Sequence, residues 1–437
     1  MQVRNSQANK KMASLKTKIA STAENDPGLS LFNLLDPEVR ANPYPLFRRL
    51  QSEDPVHWDP FIHAWVVTRY ADVVTVLHNF LAYKPAPPEV LKELGLSALD
   101  PLAKVMMKQM LFMDPPAHTR LRSLAAKVFT PHRMEKLRLH IRDIVSSLLD
   151  KVQSQGRMDV LADFAEPLPA IVTAELLGLP ASDVRQLKMW SADFAERLGN
   201  FHQNPDGMQR VLQSLQGMKD YFEAAVQEIK EHPREGLIHS FLTAEIDGDR
   251  LTMEEVVANS IITMVGGQET TTNLIGNGLL ALLRNPDVLE DLRCDLSLIQ
   301  SAVEELLRYE PPSQYTTRVA PEDVEIGGKT IRKGQATIVV MAAANRDPER
   351  FADPDQINIR RTDNRHLAFG WATHFCFGAP LARIEGQEAF EALLRRLQDV
   401  ALEPGPLVWR RNLGLRGLEA LPVTFQSKHE AAARSVS

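Results

Sequence analysis

The stretch Phe369-Gly370-Trp371-Ala372-Thr373-His374-Phe375-Cys376-Phe377-Gly378, continued by Ala379-Pro380-Leu381-Ala382-Arg383, decides how this chain is read. Small residues (Gly370, Ala372 and Gly378) flank the sulfur of Cys376 at close intervals. Such a loop lets backbone N–H groups reach the sulfur, and hydrogen bonds of that kind tune a metal-bound thiolate. The following run, Ala382 to Leu397, is rich in good helix formers. A thiolate beside a helix N-terminus has a lowered pKa, as a metal ligand requires. By spacing alone, a solitary cysteine is more often a small buried hydrophobe. The rest of the chain has to decide.

Working outward, Met264-Val265-Gly266-Gly267-Gln268-Glu269-Thr270-Thr271-Thr272 lies inside a periodic apolar stretch from Val256 to Leu283. Two glycines, an acid and three β-branched alcohols are poor choices for a helix interior. The run therefore predicts a local opening or a bound ligand. The alternative is a kinked core helix whose threonines bond back to the preceding turn. In Glu305-Leu306-Leu307-Arg308 the i, i+3 spacing puts acid and guanidinium on one helical face among apolar neighbours. Taken alone, a solvated surface pair explains it as well. In His118-Thr119-Arg120-Leu121-Arg122, on a helix starting after Asp114-Pro115-Pro116, His118 and Arg122 form a clamp suited to a carboxylate. Arg120, Lys127, Arg133, Lys136, Arg138 and Arg142 extend a basic face, which fits an acidic protein partner.

Bulk properties narrow the class. The chain has 437 residues, 44% hydrophobic and 24% charged, as in an ordinary globular protein. Lys+Arg number 50 and Asp+Glu 56, a net charge of −6, so no global basic excess attracts nucleic acid. Two cysteines, Cys294 and Cys376, cannot build a disulfide framework, which predicts a reduced, cytoplasmic protein. No apolar run is long enough for a membrane span. The N-terminus has no apolar h-region and carries Arg4, Lys10, Lys11, Lys16 and Lys18, which reads as a solvated tail.

Local patterns predict a mainly α (α+β) body with small pieces of sheet. Val56–Trp58 and Ala64–Thr68 read as a hairpin, as do Val324–Ile326 and Thr330–Ile331 around Gly327-Gly328, with Thr337–Met341 beyond. Leu121, Leu124, Ala125 and Val128 share a helical face. Asn285-Pro286 and Pro311-Pro312 are helix stops.

In their order and separations these stretches resemble the cytochrome P-450 superfamily, the haem-thiolate monooxygenases, and more narrowly its soluble bacterial type. The resemblance covers residues 30 to 425. The family's cysteine loop, Phe-x-x-Gly-x-His/Arg-x-Cys-x-Gly, is met by Phe369, His374, Cys376 and Gly378. One position departs: Ala372 stands where the family has glycine, and a small shift of the turn is expected. Ala/Gly-Gly-x-Asp/Glu-Thr is met by Gly266-Gly267-Gln268-Glu269-Thr270. Glu-x-x-Arg is met by Glu305 and Arg308, with Arg361, Phe351 and Pro354 in the segment before the cysteine loop.

The resemblance implies the cytochrome P-450 fold. That is a triangular helical body with small β-sheets, haem lying between the central helix and the cysteine-loop helix. It implies one domain over 29–427, with tails at 1–28 and 428–437. It makes Cys376 the metal ligand of haem b (iron protoporphyrin IX). His118, Arg122, Gly266, Arg318, Phe369, His374, Cys376 and Gly378 are cofactor-binding, and Thr270 and Glu269 handle protons. The implied reaction inserts one atom of O2 into a C–H bond or alkene of a medium-to-large hydrophobic molecule, in natural-product biosynthesis. A ferredoxin and its NAD(P)H-dependent reductase would deliver electrons, docking on the basic face from Arg120 to Arg142. The substrate pocket would draw on Tyr83–Phe112, Leu187–Phe201, Ile262–Gly266, Gln314–Thr317 and Leu413–Leu415, with a lid loop at Gly199 to Gly207. Alternatives are a peroxide-using or non-oxygenating haem-thiolate enzyme, a fatty-acid or terpenoid hydroxylase, and a haem sensor without turnover.

Overall fold

The computed structural model describes residues 26–93, 95–126, 129–198 and 205–427. The expected tails, apart from 26–28, lie outside the described residues, as do Lys127, Val128 and most of the expected lid loop. Residues 26–28 are structured: Asp26 caps a short 3-10 turn, Pro27–Leu29.

Eight helices position the site. They are α1 (Ala117–Ala126), α2 (Arg138–Val152), α3 (Pro167–Leu177), α4 (Val184–Leu198), α5 (Pro205–Glu231), α6 (Met253–Leu283), α7 (Ile299–Tyr309) and α8 (Ala379–Arg396). Helix α6 is the axle. At 1.5 Å per residue its 31 residues run about 46 Å. A capping box starts it: Thr252 accepts from the Glu255 N–H, and the Glu255 carboxylate accepts from the Thr252 N–H. Asn285-Pro286 ends it, as expected. Most of its middle and C-terminal half is buried on every side, so tertiary packing rather than an amphipathic face supports it.

The expected opening of α6 at Gly266 to Thr272 does not occur; the helix is continuous there. Packing overrides propensity. A Cβ on Gly267 would lie 2.6 Å from Thr173 Oγ1, so only glycine lets α3 sit this close. Thr272 donates to the Ala165 carbonyl at 3.0 Å, and Thr271 is buried.

A five-stranded sheet has the order β1-β2-β10-β7-β3. In chain order its members are β1 (Val56–Asp59), β2 (Ala64–Val67), β3 (Leu81–Ala82), β7 (Thr316–Val319) and β10 (Ala336–Val339). Strands β8 (Val324–Ile326) and β9 (Lys329–Ile331) form the second expected hairpin. Strands β4 (Arg157–Asp159), β11 (Leu397–Leu402) and β12 (Pro422–Ser427) form a three-stranded sheet, and β5 (Glu245–Ile246) pairs with β6 (Asp249–Arg250). Period-two alternation serves both faces of the large sheet. Val66 and Ile338 pack with Phe47 and Leu50, while Val67 and Val339 pack with Val73, Val76 and Leu77. A sheet held from both sides fixes Arg318 on β7, opposite Ala82 on β3 and Thr337 on β10.

Candidate active site

Glu305 and Arg308 on α7 are both fully buried, which excludes the solvated pair. The guanidinium grips the carboxylate bidentately, Nε–Oε2 at 2.8 Å and Nη2–Oε1 at 2.7 Å. Every remaining valence is used. Arg308 also donates to the carbonyls of Asn345, Pro354 and Gln356. Glu305 also accepts from the Asn358 N–H, from Arg361 Nε at 3.1 Å and from Asn364 Nδ2. The pair thus staples the irregular segment 345–364 to α7, immediately before the cysteine loop. Arg361 takes its expected place as third partner.

The cysteine loop is tied at its neck: the Cys376 N–H donates to the Phe369 carbonyl at 2.7 Å. Ala372 sits at φ 55°, the left-handed conformation glycine adopts freely. The turn is therefore kept, with alanine carrying about 1–2 kcal/mol of backbone strain. Cys376 is deep in the fold, yet its side chain is exposed to open space within it. Burial pushes the thiol up. The Gly378 N–H, the Arg122 guanidinium, the Ala379 N–H and the Arg383 guanidinium pull it back. Gly266 and Gly378 have no neighbouring heavy atom within 4 Å of where a Cβ would stand, so both border room for a bulky group.

Beside the sulfur lies a cationic cradle. His118 and His374 have ring centroids 4.5 Å apart. Arg318 is nearly buried and donates from Nη1 to Thr316 Oγ1 and the Thr317 carbonyl. His118 Nδ1, Arg318 Nε and His374 Nε2 are buried without a hydrogen-bond partner. Burial outweighs the Asp114 carboxylate and lowers all three: Arg318 falls to about 10, His374 to about 4, and His118 below its usual value. For His374 the neighbouring charges of Arg318 and His118 add to burial. Asp114 opposes them, but it is also engaged by Lys84 at 2.8 Å and the Ala82 N–H at 2.7 Å. Orphaned donors around positive charge fit the two carboxylates of a haem. Arg122, expected in this cradle, instead donates to the carbonyls of Thr373 (3.2 Å) and Phe375 (2.6 Å), bracing the cysteine loop.

On α6, the Thr270 hydroxyl donates to the Gly266 carbonyl at 2.8 Å, the back-bonded arrangement. Its oxygen still offers acceptor capacity. Glu269 turns elsewhere: its Oε2 accepts from Arg410 Nη1 at 2.9 Å. Arg410 also pairs with Glu166, and Glu166 with Lys188. Burial raises Glu269 despite Arg410. These four charges step from the interior to the partly exposed Lys188. Arg410, Glu166 and Lys188 were not signalled by the sequence, because each lies more than 70 positions from Glu269.

The basic face needs correction. Arg120 is taken by Asp249 and Glu255, Arg138 by Glu135 and Glu388, and Arg142 by Glu388. Beyond the local Glu135, acids far along the chain (Asp249, Glu255 and Glu388) neutralise these three arginines. Arg133 and Lys136 remain exposed.

The sequence profile described as Cytochrome P450 matches residues 95–405. The chain is 39% identical over 426 residues to cytochrome P450 monooxygenase PikC of Streptomyces venezuelae, covering 95% of this chain and 98% of that protein. It is 36% identical over 399 residues to polyketide biosynthesis cytochrome P450 PksS of Bacillus subtilis (strain 168), covering 89% and 97% respectively. The crystal structure of P450BioI in complex with hexadec-9Z-enoic acid ligated acyl carrier protein matches at TM-score 0.84 and 38% identity, covering 89% of this chain and 100% of that one. The chain belongs to the cytochrome P450 family. It is a monooxygenase of that family, its cofactor is haem iron, and it shares the bacterial P450 fold. Among the described residues, no helix is long and apolar enough to cross a membrane.

Proposed function

We propose that this P450 places one oxygen atom from O2 into a C–H bond or alkene of a medium-to-large hydrophobic molecule in natural-product biosynthesis. The cytoplasm is the proposed site of action. One observation carries the assignment of site residues: the unpartnered cationic cradle beside a sulfur that already receives backbone N–H groups. In this reading haem b is held by Cys376 at the metal and by His118, Arg318 and His374 at its carboxylates. Arg122 and Phe369 support the cysteine loop, and Gly266 and Gly378 leave room for the ring. Bound haem with a thiolate ligand supplies the oxidising chemistry, taking two electrons singly.

The protein's own contribution is position and proton control. Thr270 can hold a water or a ligand oxygen through its free acceptor lone pair while the hydroxyl stays anchored on Gly266. Glu269 takes protons up readily because burial disfavours its charge. Arg410, Glu166 and Lys188 offer it a charged path toward solvent. Apolar Tyr83, Val90, Leu96, Met107 and Leu111 stand exposed along the segment Tyr83–Phe112, which suits a hydrophobic guest. Electrons come from a ferredoxin and its NAD(P)H-linked reductase, the exposed Arg133 and Lys136 serving as part of the contact.

The test is turnover under isotopically labelled O2 across a panel of hydrophobic compounds. Long-chain acyl groups are included both free and on an acyl carrier protein. Ferredoxin-driven incorporation of a single labelled atom is the expected result. Product formed only with peroxide, or without label, overturns the reading.

A further inference from the structure

The acid immediately before the buried pair, Glu304, has no part in that staple. It faces the other way, at the edge of a surface hollow of about 710 Å³, and its side chain is 27% exposed. Its partners lead inward. Arg383, in the second turn of α8, holds it bidentately: Nε to Oε1 at 2.7 Å and Nη2 to Oε2 at 2.8 Å. His366 adds a third contact, Nε2 to Oε2 at 3.2 Å. The Ala368 N–H donates to His366 Nδ1, so the ring proton sits on Nε2 and is given to Glu304. Against burial, which pushes it up, the hydrogen bonds from His366 and Arg383 and the Arg383 charge hold the Glu304 carboxyl down at about 2, so it carries a full charge.

Arg383 is the link to the sulfur. Its guanidinium lies over the Phe369 ring, 4.6 Å from the centroid. Phe369 is the residue whose carbonyl accepts from the Cys376 N–H, so the Arg383 charge is stacked on the residue that ties the neck of the sulfur's loop. A second guanidinium, Arg122, braces the same loop through the Phe375 carbonyl. A carboxylate bound to Arg383 offsets part of the positive charge that the sulfur feels. Opposing charges a few ångströms apart screen one another strongly in such a partly buried setting.

We propose that Glu304 is a positioning residue that sets how much of the Arg383 charge reaches the Cys376 sulfur, and so sets the reduction potential of the metal that sulfur binds. The inference builds on Cys376 being the ligand. Reduction of the metal adds negative charge at the site, so uncovering Arg383 favours it and removing Arg383 disfavours it. Glu304→Gln keeps an acceptor for Arg383 while deleting the charge. Arg383→Gln deletes the opposite charge at the same contact.

The experiment is spectroelectrochemical titration of the haem-loaded protein, with each variant's ferrous carbonyl spectrum taken beforehand. The spectrum reports whether thiolate ligation is intact and so tests the underlying assignment separately. Expected are thiolate-type spectra throughout and a higher potential in Glu304→Gln, where the ferrous-to-ferric ratio at fixed potential rises by about threefold or more. Arg383→Gln should be lower, and Arg383→Lys close to the parent. If Arg383→Gln does not load haem, Glu304→Gln and Arg383→Lys decide: a rise in the first with little change in the second supports the proposal. Intact thiolate spectra with Glu304→Gln unchanged or lowered, or with both Gln variants moving the same way, overturn it. A parent protein lacking the thiolate spectrum overturns the ligand assignment and the proposal together.

Discussion

Two clusters of buried charged and polar side chains, one stapling the segment before the cysteine loop and one including His374 of the loop itself, are built on opposite terms. The Glu305–Arg308 pair is complete: acid and base satisfy one another and four backbone groups, and Arg361 and the Asn364 amide N–H fill the remaining sites on the acid. The His118–Arg318–His374 cluster is incomplete, with three nitrogens unpartnered around the buried Arg318 charge. Burying an unpaired polar group costs free energy. A protein keeps such a cost where a ligand removes it. Completeness therefore separates the charges that hold the fold from those that hold a cofactor, even though both sets are family residues in the sequence.

That contrast can be broken experimentally. The largest effect belongs to the complete cluster. Arg308→Leu takes the bidentate counter-charge from a buried carboxylate, leaving only the longer Arg361 contact, and should cost about 3–5 kcal/mol, read as loss of folded protein in denaturant melts with or without haem. A loss under 1 kcal/mol would put Arg308 in the class of a surface pair.

The incomplete cluster should respond with opposite signs in the two states. Arg318→Met removes an unpaired buried cation, so the haem-free protein should hold or gain stability. The haem-loaded protein should release its cofactor at least tenfold faster, because a charge-assisted contact to a carboxylate is gone. Haem transfer to an acceptor protein and apoprotein melting measure the two. Equal destabilisation of both states would erase the distinction.

A third buried charge sharpens it further. Glu385 on α8 is buried, its Oε2 has no partner, and burial alone raises its carboxyl well above the usual range. A raised folded value means the folded state keeps a proton that the unfolded state releases first. Stability therefore falls as pH rises from about 4.5 toward the folded value, then levels off. Glu385→Gln should gain on the parent progressively over that window. A stability difference that is flat with pH would mean the carboxyl has an ordinary value.

The fold was legible where the information is local. Both hairpins follow from alternation and their turns, at Pro60 in the first and at Gly327-Gly328 in the second, and the ends of α6 and α7 follow from Asn285-Pro286 and Pro311-Pro312. Strands β3, β4 and β11 were not legible, since their partners lie far along the chain: β4 pairs with β12, more than 250 residues away. Between an opening and a core helix with back-bonded threonines at Gly266 to Thr272 the sequence left the choice open for the same reason, as Thr173 and the Ala165 carbonyl supply the support for the unbroken helix. At the site, Cys376, Glu305, Arg308 and His118 drew notice by type and spacing, but their roles, and Arg361 altogether, came from the family resemblance. The Arg410–Glu166–Lys188 chain behind Glu269 could not be found in either way, nor could the acids that neutralise Arg120, Arg138 and Arg142. Charge pairing in space leaves no periodic trace in a sequence.

The measurement that tests the account most directly compares ferrous carbonyl difference spectra of the parent, Cys376→Ser and Cys294→Ser, all purified with haem. The parent and Cys294→Ser should both carry the thiolate-ligated band, and Cys376→Ser should lose it. A band that survives in Cys376→Ser, or disappears in Cys294→Ser, would contradict the account.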